Sequence, residues 1–84
     1  AQAVGERLSR LGQKVQVLVV THSPQVAAQG RQHYKVEKST KDNITTTAVF
    51  ALDNQSRREE IARMLAGATI TAEARAAADV LLSA

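Results

Sequence analysis

Gln16-Val17-Leu18-Val19-Val20-Thr21-His22-Ser23-Pro24-Gln25-Val26-Ala27-Ala28 holds the sharpest change of pattern in this chain. Residues 15–21 are almost continuously β-branched or leucine, which predicts a buried strand covered on both faces, as in a parallel sheet. Ser23 is a strong N-cap residue, and Pro24 suits the first helical position, where no backbone donor is needed. A short helix over 24–29 follows, stopped at Gly30 by a glycine suited to positive φ. His22 therefore falls at the carboxyl end of a strand, the edge at which open α/β sheets bind ligands. The N–H groups of the next turn lack intrahelical acceptors and favour an anion. An imidazole that reads a phosphate fits this setting; a hydrogen-bonded or surface structural histidine is the other reading of the same residue.

Working outward, residues 1–11 place Val4, Leu8 and Leu11 on one helical stripe, and Gly12 stops that helix. Downstream, Gln32 to Thr40 alternates Tyr34 and Val36 with His33, Lys35, Glu37 and Ser39. Ile44, Thr46, Ala48, Phe50 and Leu52 share one face of a second strand, and Lys41-Asp42-Asn43 between the two predicts a hairpin of open register. Ser56-Arg57-Arg58-Glu59 has capping-box spacing ahead of the apolar stripe Ile61, Met64 and Leu65, and Gly67 ends that helix. Thr71 then caps a last helix whose inward positions are Ala77, Val80 and Leu81. The fold class is α/β: helix, buried parallel-type strand, short helix, β-hairpin and two C-terminal helices.

Eighty-four residues allow one domain, and this one has a thin core. Phe50 and Tyr34 are the only aromatics, and much of the 44% hydrophobic content is alanine, which adds helix propensity but little apolar area. A buried parallel strand also needs neighbours on both sides, and no second strand–helix unit of that kind follows. Ala1 is not an initiator methionine and already lies in a helical pattern. These features predict a piece of a larger protein whose remainder lies upstream. Without cysteine, a disulfide framework or thiolate metal site is excluded, and the sequence carries neither a membrane-length apolar run nor a signal peptide.

The net charge is +3 and the isoelectric point about 9.8. Arg31, Lys35, Lys38 and Lys41 gather positive charge around the hairpin. They suit DNA-backbone contacts of little sequence preference, but edge strands also carry lysine to block edge-to-edge association. His33 reads as solvent-facing, and two histidines without converging acids exclude a zinc-type site. Ser23 beside His22 lacks the turn that aims a catalytic serine. Glu59-Glu60 read as a solvated charge cluster near a helix start.

The string from Gln16 to Ala28 closely resembles the stretch around the switch histidine of the RecN family, bacterial recombination and repair ATPases related to SMC proteins. Ala3-Val4-Gly5-Glu6-Arg7-Leu8 resembles the helix after that family's D-loop, and Glu60-Ile61-Ala62-Arg63-Met64-Leu65-Ala66-Gly67 resembles its C-terminal helix. The resemblance implies the C-terminal part of a P-loop NTPase head of ATP-binding-cassette type, with ATP and Mg2+ as ligands of the whole protein. It further implies a second head as homodimer partner, DNA as the object of repair, and a cytoplasmic, nucleoid-associated setting. His22 takes the place of the switch histidine, approaching the γ-phosphate and positioning the attacking water. The phosphate loop, signature loop, D-loop and the Asp-Glu strand end that holds magnesium have no counterpart here, so the segment alone is expected to be inactive. The competing expectation is a small basic DNA-binding or protein-interaction module without catalysis.

Overall fold

The computed structural model describes residues 2–84. In chain order it contains α1 (Gln2–Gly12), α2 (Pro24–Ala27), β1 (Tyr34–Lys41), β2 (Ile44–Ala51), α3 (Asn54–Ala66) and α4 (Ala72–Ser83). The chain is thus a small α/β unit in which β1 and β2 form a two-stranded antiparallel sheet. Ala1, the expected first residue of the opening helix, lies outside the described residues.

The best-made part is the pair α3–α4. Ile61 is fully buried (0% exposed), and Ala62, Ala74 and Ala78 pack around it with Ala28 of the segment after α2. Alanines at 74 and 78 stand one turn apart on a single face, so the two helices approach closely. That close approach selects the inward face of α4. Leu81 and Leu82 pack against the core, whereas Ala77 and Val80, expected inside, point outward, Val80 being 68% exposed. Two cross-helix ion pairs flank the contact: Arg58 grips Asp79 through both carboxylate oxygens, and Arg75 grips Glu59 at 2.9 Å.

The helix ends follow side-chain chemistry. Thr71 accepts the Ala74 N–H at 3.1 Å, and Gly67 closes α3 with φ +81°. At the start of α3 the cap is Asp53, which accepts the Ser56 N–H at 2.8 Å, rather than Ser56 itself. A carboxylate at a helix N-terminus gains from the dipole as well as from the hydrogen bond, so the helix begins earlier than the capping-box spacing predicts.

Lys41 pairs with Ile44, Lys35 with Phe50 and Tyr34 with Ala51, which settles the hairpin register. Asp42 and Asn43 make the turn alone, at φ 53° and 62°. Positive φ at both central residues is the type I′ geometry that matches strand twist, and Asp and Asn tolerate it. Lys41 therefore belongs to β1 instead of the turn.

The largest departure from expectation is residues 15–21, which form no strand. Among the described residues no backbone ladder forms on them, and Leu18 and Val20 stand 86% and 94% exposed. β-branched sequence prepares an extended chain, but a strand exists only through hydrogen bonds to a neighbour. The N-terminal helix is similarly half-covered: Leu8 is partly buried, while Val4 and Leu11 remain exposed. The whole chain accordingly exposes 6442 Å2, against about 4,900 Å2 for a compact protein of its 9.0 kDa mass. Its radius of gyration is 14.0 Å, against about 12 Å for a compact chain of this length.

Candidate functional site

The local sequence around His22 folds as its capping residues dictate. Ser23 has extended backbone angles, and its Oγ accepts the Val26 N–H at 3.4 Å. Pro24 occupies the first helical position. On the other side of His22, Thr21 Oγ1 accepts the Ser23 N–H at 2.9 Å. His22 is thus flanked by two hydroxyl-mediated bonds and presents its ring to solvent. α2 is one turn long, shorter than the 24–29 span expected. In this single turn Pro24 has no N–H and those of Val26 and Ala27 are taken by Ser23, which leaves the Gln25 N–H without a partner among the described residues.

Four residues cannot hold a helix by themselves, and two outside contacts brace α2. The first is Gly5 of α1, where the helices meet backbone to backbone. A Cβ built there would stand 2.9 Å from Gln29 Cγ, 3.2 Å from the Gln25 carbonyl oxygen and 3.3 Å from Val26 Cα. A side chain there would require the α2 backbone to give way by a few tenths of an ångström. The second brace is Arg57 of α3, whose Nη2 donates to the carbonyls of Ala27 and Ala28, both at 3.1 Å, and to that of Gly30. Gly30 does not take positive φ, because the guanidinium satisfies the last carbonyls of α2 that a left-handed glycine turn would otherwise serve.

Arg57 is half-buried, and burial pushes its pKa below the ordinary guanidinium value without discharging it. Its Nε has no partner among the described residues, and neither does His33 Nδ1. His33 is therefore not the solvent-facing residue expected. Burial first, and then the positive charge of Arg57, hold its imidazole below the ordinary range, with Glu60 opposing. The ring is neutral at pH 7.

Glu60 also departs from expectation: at 8% exposed it is the one buried charged side chain among the described residues. Burial alone would push its pKa up, but Arg63 and Lys35 hydrogen-bond the carboxylate and together hold it below the ordinary range. Arg63 Nε lies 2.9 Å from one oxygen and Lys35 Nζ 3.0 Å from the other. The adjacent Glu59 faces α4 instead, so the two acids do not form a solvated cluster. Around this network runs an open groove of about 510 Å3, lined in part by Lys35, Phe50, Glu59, Glu60, Arg63 and Ile70.

The basic cluster is not one surface. Lys35 is engaged by Glu60 and by Glu37 at 3.1 Å, and the hydrogen bond to Glu60 is the main reason its pKa is raised. Strand alternation puts Lys38 on the face of Tyr34, Val36 and Thr40, and Lys41 on the face of Lys35, Glu37 and Ser39. Arg31 sits in the loop before β1, beside His33 and Arg57. Sequence reasoning singled out His22 by its setting, gave Arg57 no place outside the capping-box run and read Glu60 as solvated. Arg57 resembles any arginine on a surface helix, and only its distant carbonyl partners mark it. No group of three potential metal ligands occurs among the described residues, nor is any described helix long and apolar enough to cross a membrane.

Fold and site together define a class: an α/β segment that presents one exposed histidine on a short turn braced from two helices. No family model matches the chain. Curated relatives do: it is 56% identical over 98% of its length to a DNA repair protein RecN of Xylella fastidiosa, and 51% identical over 96% to that of Deinococcus radiodurans. The RecN protein of Rickettsia conorii is 46% identical over 98% of the chain. The chain belongs to the RecN family. It spans 14–15% of the length of these three relatives.

Proposed function

We propose that this chain is the C-terminal part of the ATPase head of a RecN-type protein acting in DNA double-strand-break repair, and that His22 reads the γ-phosphate of ATP. The observation that carries this reading is the 56% identity to a DNA repair protein RecN across 82 residues, a span that takes in the His22 turn. The site is chemically compatible with it: an exposed imidazole stands at the head of a turn in which the Gln25 N–H has no partner among the described residues.

The residues present fit one edge of a triphosphate and no more. Mg2+ would be held by groups outside this chain, since no three potential metal ligands gather among the described residues. What the chain itself contributes is orientation and charge. His22 donates to an equatorial oxygen of the transferred phosphoryl group and aligns the attacking water, where a preorganised donor acts on charge that develops in the transition state. Ser23 and Thr21 hold the backbone on either side of the ring. The other parts of the site, the rest of the head and a second head in a homodimer, belong to the whole protein in this reading, as do DNA and a cytoplasmic, nucleoid-associated location. The divided basic cluster leaves Arg31, Lys38 and Lys41 as backbone contacts of little sequence preference, with Lys35 held by its two acids.

In the full-length protein, His22→Ala is expected to lower single-turnover ATP hydrolysis by about 100-fold or more, because one preorganised donor is lost. ATP affinity and melting temperature are expected to stay near wild type, since the lost interaction belongs to the transition state. Wild-type hydrolysis by a folded His22→Ala protein ends this reading.

A further inference from the structure

We propose that Arg57 is a positioning residue for His22, holding the His22 turn in its working place by gathering the backbone carbonyls at the far end of α2. The proposal rests on the reading of His22 as the phosphate-contacting residue and adds the group that sets where that histidine sits.

A continuous run of hydrogen bonds joins the two residues. Arg57 Nη2 donates to the carbonyls of Ala27, Ala28 and Gly30. The N–H groups of Ala27 and Ala28 donate in turn to the carbonyls of Ser23 at 3.0 Å and Pro24 at 2.9 Å. Ser23 accepts from Val26 through its Oγ and donates its own N–H to Thr21 Oγ1. The chain of bonds thus reaches both sequence neighbours of His22. Each bond is short-range except the first, which crosses from α3 over 27 to 30 residues of sequence.

That first bond set matters because the turn has little else to fix it. One helical turn is unstable alone, and the residues before it, 15–20, carry no ladder in this structure. Gly5 sets how close α1 comes to α2, but a glycine supplies contact without direction. The guanidinium supplies direction, since one planar nitrogen, Nη2, shares its two hydrogens among three carbonyls. Its removal leaves the carbonyl of buried Ala28 without its donor, while that of Ala27 keeps only the Gly30 N–H, which favours a shifted turn. A misplacement of about 1 Å at a group aligned on a reacting centre costs on the order of 100-fold in rate.

The test uses the full-length protein and four variants: His22→Ala, Arg57→Ala, Arg57→Lys and the double His22→Ala/Arg57→Ala. Arg57→Ala is expected to slow single-turnover ATP hydrolysis by roughly 10- to 100-fold, with ATP affinity within about twofold of wild type. Amide hydrogen exchange over residues 21–30 is expected to rise in the same variant while α3 and α4 stay protected. Arg57→Lys recovers part of the rate, because an ammonium still donates to carbonyls but sits on a shorter side chain without the planar nitrogen. The double variant is expected to be no slower than His22→Ala alone, since Arg57 acts through His22. A slow His22→Ala beside a wild-type Arg57→Ala overturns the positioning role and leaves the phosphate reading standing. The positioning role also falls if the two losses multiply, or if exchange over 21–30 is unchanged. A fast His22→Ala overturns the phosphate reading instead, and the positioning role with it.

Discussion

Two stretches of this chain carry apolar side chains that end in opposite states. Helices α3 and α4 bury Ile61, Ala62, Ala74 and Ala78 between them, joined by a five-residue link from Gly67 to Thr71. Residues 15–20 carry larger side chains, yet Leu18 and Val20 face solvent. Helices complete their backbone hydrogen bonds within themselves, so two neighbouring helices need only their side chains to fit. A strand borrows its hydrogen bonds from another strand, and in a doubly covered sheet it borrows both faces as well. The C-terminal helices therefore bury their apolar faces within the chain, and the stretch leading into His22 finds no such partner among the described residues. The only sheet formed among the described residues, β1–β2, is sequence-local and pairs through a two-residue turn.

The strongest test of this contrast removes the centre of the self-sufficient half. Ile61→Ala is expected to destabilise the 84-residue chain by about 3 kcal/mol, from lost transfer energy and the cavity left behind. Urea unfolding followed by helix signal measures it, and a loss below about 1 kcal/mol would mean that α3 and α4 are not the core.

A second experiment addresses the dependent half by making one change in two settings. Leu18→Ser is expected to alter the 84-residue chain by less than about 0.5 kcal/mol, as for an exposed position, but to cost about 2 kcal/mol or more in the full-length protein. Equal effects in both settings would break the contrast.

The smallest effect concerns pH. His33 has a folded pKa below its unfolded one, so its contribution is complete above the unfolded value and is lost as pH falls through the folded value. Glu60 follows the same sign at lower pH, because Arg63 and Lys35 hold its carboxylate below the ordinary range despite burial. Stability is expected to decline in two stages on acidification from neutrality, the first setting in at the ordinary imidazole value and ending below it. His33→Gln should flatten that first stage and leave the second. A stability profile in which His33→Gln changes neither stage would detach His33 from the Arg57 environment.

Much of the local architecture is readable in the sequence because its causes are local. The Ser23 cap, Pro24 at the first helical position, the Thr71 cap and the Gly67 stop all depend on residues within four positions of one another. So does the hairpin, where alternation and the Asp42-Asn43 pair cooperate. His22 is legible for the same reason, as a histidine placed between an apolar run and a helix start. Glu60 and Arg57 are not. A buried carboxylate and a solvated one look alike in sequence, and their partners, Lys35 in one case and the carbonyls of residues 27–30 in the other, lie about 25 to 30 positions away.

The sequence by itself determined the Ser23 and Thr71 caps, the Gly67 stop, the hairpin, and the family to which the chain belongs, because caps, turns and motifs act over a few residues. Tertiary structure alone decided which face of α4 turns inward, that Glu60 is buried and paired, and that Arg57 reaches back to brace the His22 turn. Those outcomes depend on the distance between elements remote in sequence, and on whether a polar group finds a partner once water has been removed.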